Sequence, residues 1–365
     1  MIVRLAARDP GGANVLSSFL QQSRSESLFT TDVWALPKAA EVFARAGAAV
    51  REFPESVTAG VLEDEWRRDP ADVLVTATTH QTPFEAILWD IARQHGAPSL
   101  AVLDQWCNLP SRFQGGRPDS VGVIDAGQAR ELIELGFAPQ VVRIVGHPWL
   151  ADLLDRRSTL APVPRREGED RDAVAVLFVS ENISGDVRDG RNAPFGFDEI
   201  DSFEVLYQAA CATAALGTPV VVAVKFHPYE DPARFRDHLG RLNPPAGVHL
   251  ECVPLGAEPH AWVLWADLVV GISSMLLYEA MVLERPIVSV QPGLVREDTF
   301  AASERGFART LTDRAQAITW LRDLLLDPEQ RRTLLEMHRG FTGRLPRSRA
   351  EGLLAWIRAS MPAST

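Results

Sequence analysis

The sequence predicts an α/β protein of two Rossmann-like domains, each a doubly wound parallel sheet, and three observations carry this. The 365 residues exceed one ordinary domain and suit two. Short apolar, β-branched runs alternate with helical stretches in both halves. A segment with two prolines, one glycine and seven charged residues, 162–172 (PVPRREGEDRD), separates the halves.

In the first half, residues 2–7 read as a strand and 12–22 as a helix after a glycine-containing turn. Strand 32–36 precedes helix 37–46, which opens on Pro37 and stops at Gly47. A short strand at 50–53, a helix at 59–68, strand 72–78 and helix 83–95 follow, then strands 99–104, 120–124 and 141–145. Their near-continuous apolar character fits parallel strands covered on both faces. Beyond the break come strand 173–180, helix 202–216, strand 219–226, helix 232–239, strand 248–253, helix 259–265, strand 268–272, helix 274–283 and strand 286–290. The tail reads as helical from about residue 314. The expected division is an acceptor domain over 1–160, a linker over 161–172 and a nucleotide-donor domain over 173–345. A final helix in 346–365 is expected to pack back on the first domain.

Composition narrows the function. An apolar fraction of 46% with 23% charged residues is globular. A formal charge of −11 argues against a large nucleic-acid surface, so an anionic ligand needs a local pocket. The three cysteines, Cys107, Cys211 and Cys252, are too few and scattered for a disulfide framework or a zinc site. No basic leader and no apolar run near the roughly 20 residues of a membrane span is present. The expectation is a soluble, cytoplasmic protein without a transmembrane segment, its composition compatible with peripheral membrane contact.

Doubly wound sheets bind ligands outside the carboxyl ends of their strands, so the loops there are the places to search. After the first strand comes Arg8-Asp9-Pro10-Gly11-Gly12-Ala13-Asn14. Gly11 and Gly12 admit close backbone approach, and Asn14 follows in the helix. Asp9 reads as a general base for an acceptor hydroxyl or as a turn and cap residue. Its spacing is not a dinucleotide fingerprint. Past another strand stand Lys225, His227 and Pro228, a cation and an imidazole suited to phosphate, or a structural His-Pro pair. Ser273 and Ser274 open a helix whose free N–H groups favour an anion, and Glu279 lies within reach of a ribose diol. Their bland readings are an N-cap and a solvated carboxylate. Ser180 and Glu181 end the first strand of the second half, close to the donor. Thr78, His80, Asp104, Trp106 and Asn108 are candidates for acceptor or sugar binding. Each has a structural alternative, a strand-end cap for Thr78 and His80 and the core for Trp106. The loop 185–197 reads as a lid or an insertion.

The order KFHP, AD-LVVGISS, Glu279 and Arg285-Pro286 resembles the carboxyl-terminal half of GT-B glycosyltransferases. Within that fold it is most similar to bacterial sialyltransferase-like and capsule-polymer enzymes with His-Pro and Ser-Ser motifs. It resembles more loosely CDP-glycerol glycerophosphotransferases and non-hydrolysing UDP-N-acetylglucosamine 2-epimerases, which carry Asp-Ser-Gly-Gly where this chain has Gly271-Ile272-Ser273-Ser274. The resemblance covers residues 173–300 and implies two Rossmann-like domains facing each other across a cleft. It implies that His227 contacts the donor phosphate or acts as its acid, that Ser273 and Ser274 hold the phosphate, and that Asp9 is the base. No Asp-x-Asp motif of the metal-dependent transferases and no metal-ligand spacing occurs; the one such triplet, Asp170-Arg171-Asp172, falls in the charged segment between the halves. The expected activity is therefore metal-independent and cofactor-free transfer of a sugar from a CMP-, UDP- or CDP-linked donor to a hydroxyl acceptor. Such a reaction suits surface glycan or glycoconjugate synthesis. The alternatives are nucleotide-sugar 2-epimerisation and non-catalytic nucleotide-sugar binding.

Overall fold

The computed structural model describes residues 1–25, 29–79, 82–165, 172–190, 192–343 and 351–359. It divides into two units, Met1–Asp152 with Leu345–Thr365, and Leu153–Arg344.

In the first unit the order is β1 (Ile2–Ala7), α1 (Pro10–Ser25), β2 (Thr30–Ala35), α2 (Pro37–Arg45), β3 (Arg51–Glu52), α3 (Ala59–Arg68), β4 (Val73–Thr76) and α4 (Phe84–Gln94). Then come β5 (Ser99–Val102), α5 (Leu109–Arg112), β6 (Ser120–Val123), α6 (Ala126–Glu134), β7 (Val142–Ile144) and α7 (Pro148–Arg156), the last crossing the unit boundary. All seven strands run parallel in the order β3-β2-β1-β4-β5-β6-β7, which reverses direction between β1 and β4. Helices cover both faces, so β4 and β5 are buried at every position. One face packs Leu5, Val75 and Val102 against Phe19 of α1, and the other packs Leu74 and Ala101 against Trp66 and Trp89.

One residue breaks the apolar pattern of β1. Arg4 is 1% exposed, yet its Nε donates to Asp32 at 2.8 Å. Its guanidinium lies over the rings of Trp34 (3.9 Å) and Trp66 (4.6 Å). A buried cation is tolerated only with such a carboxylate and aromatic faces around it.

The second unit repeats the alternation. Its order begins β8 (Val174–Val179), α8 (Ile183–Arg188), α9 (Glu199–Ala214), β9 (Val220–Lys225), α10 (Pro232–Arg241), β10 (Val248–Cys252), α11 (Pro259–Trp265) and β11 (Leu268–Gly271). It continues α12 (Met275–Val282), β12 (Ile287–Val290), α13 (Ala301–Glu304), β13 (Thr310–Leu311), α14 (Arg314–Leu326) and α15 (Pro328–Thr342). Six parallel strands are ordered β10-β9-β8-β11-β12-β13, with the reversal between β8 and β11. Helices start where short carboxylates cap them. Asp198 forms a capping box with Asp201 on α9, and Asp231, Glu258 and Asp327 each accept an N–H ahead of a proline at the first helical position.

Part of the segment read as a lid is ordered packing. Its first residues, 185–188, continue α8, and its last, Phe197, packs with Ile183 and Ile272; just ahead of it Ser184 gives its N–H (2.9 Å) and hydroxyl (2.5 Å) to Glu199. The last helix, α16 (Glu351–Ala359), sends Leu353, Leu354, Trp356 and Ile357 into the first unit's core beside Leu5 and Val145. A Cβ on Gly122 would stand 3.2 Å from the Trp356 ring, so only glycine lets β6 accept that helix without displacement.

Candidate functional site

In the second unit polar side chains collect at the carboxyl ends of β8, β9 and β11, around the point where strand order reverses. Ser180, just past β8, donates its hydroxyl to Glu230 at 2.9 Å. The other oxygen of Glu230 accepts the His227 N–H at 3.0 Å, which ties the loops after β8 and β9 together. Burial pushes the Glu230 carboxyl up to about 7, against the pull of those two donors. His227 Nδ1 accepts the Tyr229 N–H at 3.3 Å, so the neutral ring carries its proton on Nε2. Pro228 is exposed beside it.

Glu181 crosses the reversal point. Its carboxylate accepts the Ser273 N–H at 2.5 Å and the Ser273 hydroxyl at 3.1 Å. Burial pushes this carboxyl up, opposed by the Ser273 donors and the Ser274 N–H. The amino terminus of α12, read from sequence as a seat for an outside anion, thus holds an internal carboxylate. Ser274 is the N-cap of α12, its hydroxyl accepting the Leu276 N–H at 3.3 Å.

Lys225 ends β9 and donates to the Phe226 carbonyl at 3.3 Å. Burial lowers its ammonium, while Glu279 and Glu230 act to keep it charged. Glu279 is 7% exposed rather than solvated, and its Oε2 lies 2.6 Å from His260 Nε2. On the other side of that ring, Nδ1 is 2.9 Å from Glu258. Burial disfavours the imidazolium, but the hydrogen bonds and charges of the two carboxylates outweigh it and raise His260 to about 9. His260 is therefore a buried cation at neutral pH.

The first unit carries its own cluster after β1, β4 and β5. Asp9 pairs with Arg8 at 2.6 Å, and its carbonyl accepts the Ala13 N–H that starts α1. Gly11 and Gly12 serve close packing. A Cβ on Gly11 would lie 2.7 Å from Asp104 Oδ2, and one on Gly12 would lie 2.2 Å from the Ala77 Cβ. Asn14 accepts the Ser18 hydroxyl through its carbonyl at 3.4 Å. Arg112, fully enclosed, gathers the Thr78 carbonyl (2.9 Å), the Thr78 hydroxyl (2.7 Å) and Asp104 (2.7 Å). Trp106 is 5% exposed and spends its indole N–H on Asp125 at 2.7 Å, stacked on His147, so it is a packed wall rather than an open sugar platform. Asn108 holds a left-handed backbone (φ 59°) ahead of α5, its carbonyl accepting from Ser111 and Arg112. His80 lies outside the described residues.

The structure thus brings Ser180, Lys225, His227, Glu230 and Glu279 to one end of the second sheet, with Ser273 bound to Glu181. Sequence reasoning missed His260, Glu258 and, in the first unit, Glu85. The signal for the first two was a carboxylate at an N-cap, a proline and then a histidine on the buried face of a short helix. Among the described residues no group of three or more His, Cys, Asp or Glu is placed to hold a metal ion. Nor is any helix among them long and apolar enough to cross a membrane.

The sequence matches no protein-family model and no curated protein. Solved structures match throughout the chain. A protein from Listeria monocytogenes described as a UDP-N-acetylglucosamine 2-epimerase superposes with a TM-score of 0.69 at 12% identity, covering 98% of this chain and 96% of that one. The UDP-N-acetylglucosamine 2-epimerase of Neisseria meningitidis, solved with UDP-N-acetylglucosamine bound, gives 0.66 at 12% identity over 98% and 99%. MurG of Acinetobacter baumannii gives 0.57 at 12% identity over 93% and 94%. At such identities the likeness carries the architecture alone. The chain has the GT-B-like fold, two parallel-sheet α/β units of seven and six strands.

Proposed function

We propose that the chain is an enzyme acting on a nucleotide-activated sugar, with the nucleotide held by the second unit. The observation that carries this reading is the gathering of Lys225, His227, Ser180 and Glu279 around the strand-order reversal of that unit. It is supported by fold neighbours solved with UDP or UDP-N-acetylglucosamine. Lys225 and the Nε2–H of His227 meet the phosphates, and Glu279, braced by His260, meets the ribose. Glu181 occupies the Ser273 N–H and hydroxyl just ahead of α12, so the phosphates rely on these two side chains rather than on helix N–H groups alone.

The favoured reaction is epimerisation of the sugar, because the epimerases among the fold neighbours match this chain nearly end to end. Such a reaction needs one group to remove a proton and another to return it, and no acceptor. Glycosyl transfer to a hydroxyl is the second reading, supported by the likeness to MurG and by Ser273-Ser274 in place of the Asp-Ser-Gly-Gly of the resembled epimerases. Asp9, paired with Arg8, is the base in that case.

Incubation with UDP-N-acetylglucosamine and other nucleotide sugars tests the proposal. A changed sugar without acceptor supports epimerisation, and nucleotide released only with acceptor supports transfer. No binding of any nucleotide or nucleotide sugar rejects the proposal. His227→Ala is expected to weaken nucleotide affinity about tenfold or more, the worth of one hydrogen bond to a charged group. An unchanged Kd in the folded variant removes His227 from the phosphate site.

A further inference from the structure

We propose a second binding site in this unit, for a small phosphate-bearing anion with an apolar body, at the end of the sheet opposite the site above. A cavity of about 470 Å³ lies there, lined by Ala266, Asp267 and Pro286, the residues leading into β11 and β12. Its size is that of a small-molecule pocket. Four arginines border it, Arg165, Arg285, Arg331 and Arg332, in a chain whose formal charge is −11. Leu264, Trp265 and Leu335 supply apolar wall.

The carboxylates nearby are already committed. Asp267 pairs with Arg165 at 2.8 Å and accepts the Ala175 N–H at 2.9 Å. Glu284 pairs with Arg157 at 2.8 Å, and Arg332 with Glu329 at 2.6 Å. Arg285 and Arg331 bond to backbone carbonyls instead. Arg285 reaches Leu264 at 2.8 Å, capping the end of α11, and Arg331 reaches Leu324 at 2.7 Å and Leu325 at 2.8 Å, near the end of α14. Capping a helix end is a sufficient use for one edge of each guanidinium. It does not account for the Nε–H of Arg285, which is buried without an acceptor. Burial lowers both guanidiniums against the opposing charge of Asp267, and Arg165 adds like-charge repulsion on Arg285. An anion against these guanidiniums relieves that repulsion. The planar guanidinium fork selects phosphate oxygens, and the tryptophan and leucines select a ligand with an apolar part.

The test is isothermal titration of the full chain with phenyl phosphate and with inorganic phosphate. The wild type is expected to bind phenyl phosphate saturably and more tightly than inorganic phosphate. Arg285→Met is expected to weaken binding at least tenfold. Arg332→Glu, at a side chain 64% exposed, is expected to do the same by placing an acid at the rim. His227→Ala is expected to leave this affinity unchanged. Absence of saturable binding, equal affinity in Arg332→Glu, or loss in His227→Ala, which puts the phosphate in the other site, overturns the proposal. Inorganic phosphate binding as tightly as phenyl phosphate overturns its apolar half. Because the probes carry no nucleotide, the result stands apart from the nucleotide-sugar reading.

Discussion

Glutamine in place of Glu85 is expected to stabilise the folded protein above pH 8 by a few kcal/mol and to flatten its stability profile below that. Glu85 sits in the first turn of α4 and is 2% exposed. Its Oε1 accepts the Arg8 N–H at 3.1 Å, while Oε2 is buried without a partner. Burial, and then the charge of Asp9, push its carboxyl up to about 8. The unfolded chain releases this proton near 4.5, so between about 4.5 and 8 the folded state binds more protons than the unfolded one. Stability therefore falls as pH rises through that window, by about 1.4 kcal/mol per unit of separation at most. Glutamine keeps the acceptor for Arg8 and carries no charge. Urea unfolding from pH 5 to 9 checks this. Parallel profiles for the two proteins would show that Glu85 does not hold a proton in the folded state.

His260→Ala is expected to cost about 3–5 kcal/mol at pH 7, the loss typical when one member of a buried ion pair is removed. The ring is 2% exposed and stands between Glu258 and Glu279, so its loss leaves Glu279 buried without its cation. With the folded pKa raised from 6.5 to about 9, the stabilisation is complete below 6.5 and disappears as pH climbs through 9. The deficit of the variant is thus expected to shrink between pH 7 and 9.5. Because Glu279 then answers to Lys225 alone, nucleotide affinity is expected to fall as well. Denaturation at the two pH values, with a nucleotide titration at pH 7, reads both effects. A deficit under 1 kcal/mol at pH 7 would mean that the imidazolium bridge contributes little.

Much of the fold was legible because both sheets are parallel and covered on both faces. Runs such as 73–76, 99–102 and 268–271 are apolar at nearly every position, and glycines and prolines punctuate them. The loops that carry Ser180, His227 and Ser273 were legible for the same reason, since strand ends fix where ligands approach. Side-chain pairing was not. Thr78, Asp104 and Arg112 meet only because β4 and β5 are neighbours and α5 folds Arg112 back over their ends. Glu181 and Ser273 lie 92 positions apart and meet across the β8–β11 reversal. Trp106 reads equally well as platform or wall until Asp125, 19 positions on, takes its N–H. The pieces β13, α5 and α6 went unread, the first two because two and four residues give periodicity too little to work with.

Hydrogen–deuterium exchange of the full chain with and without saturating UDP measures the site directly, since amides that gain a ligand or a firmer loop open less often. Slower exchange is predicted in the segments around Ser180 to Ser184, His227 to Glu230 and Ile272 to Leu276, with 118–124 unaffected. UDP bound to the protein with those three segments unchanged would contradict a nucleotide seat at the ends of β8, β9 and β11.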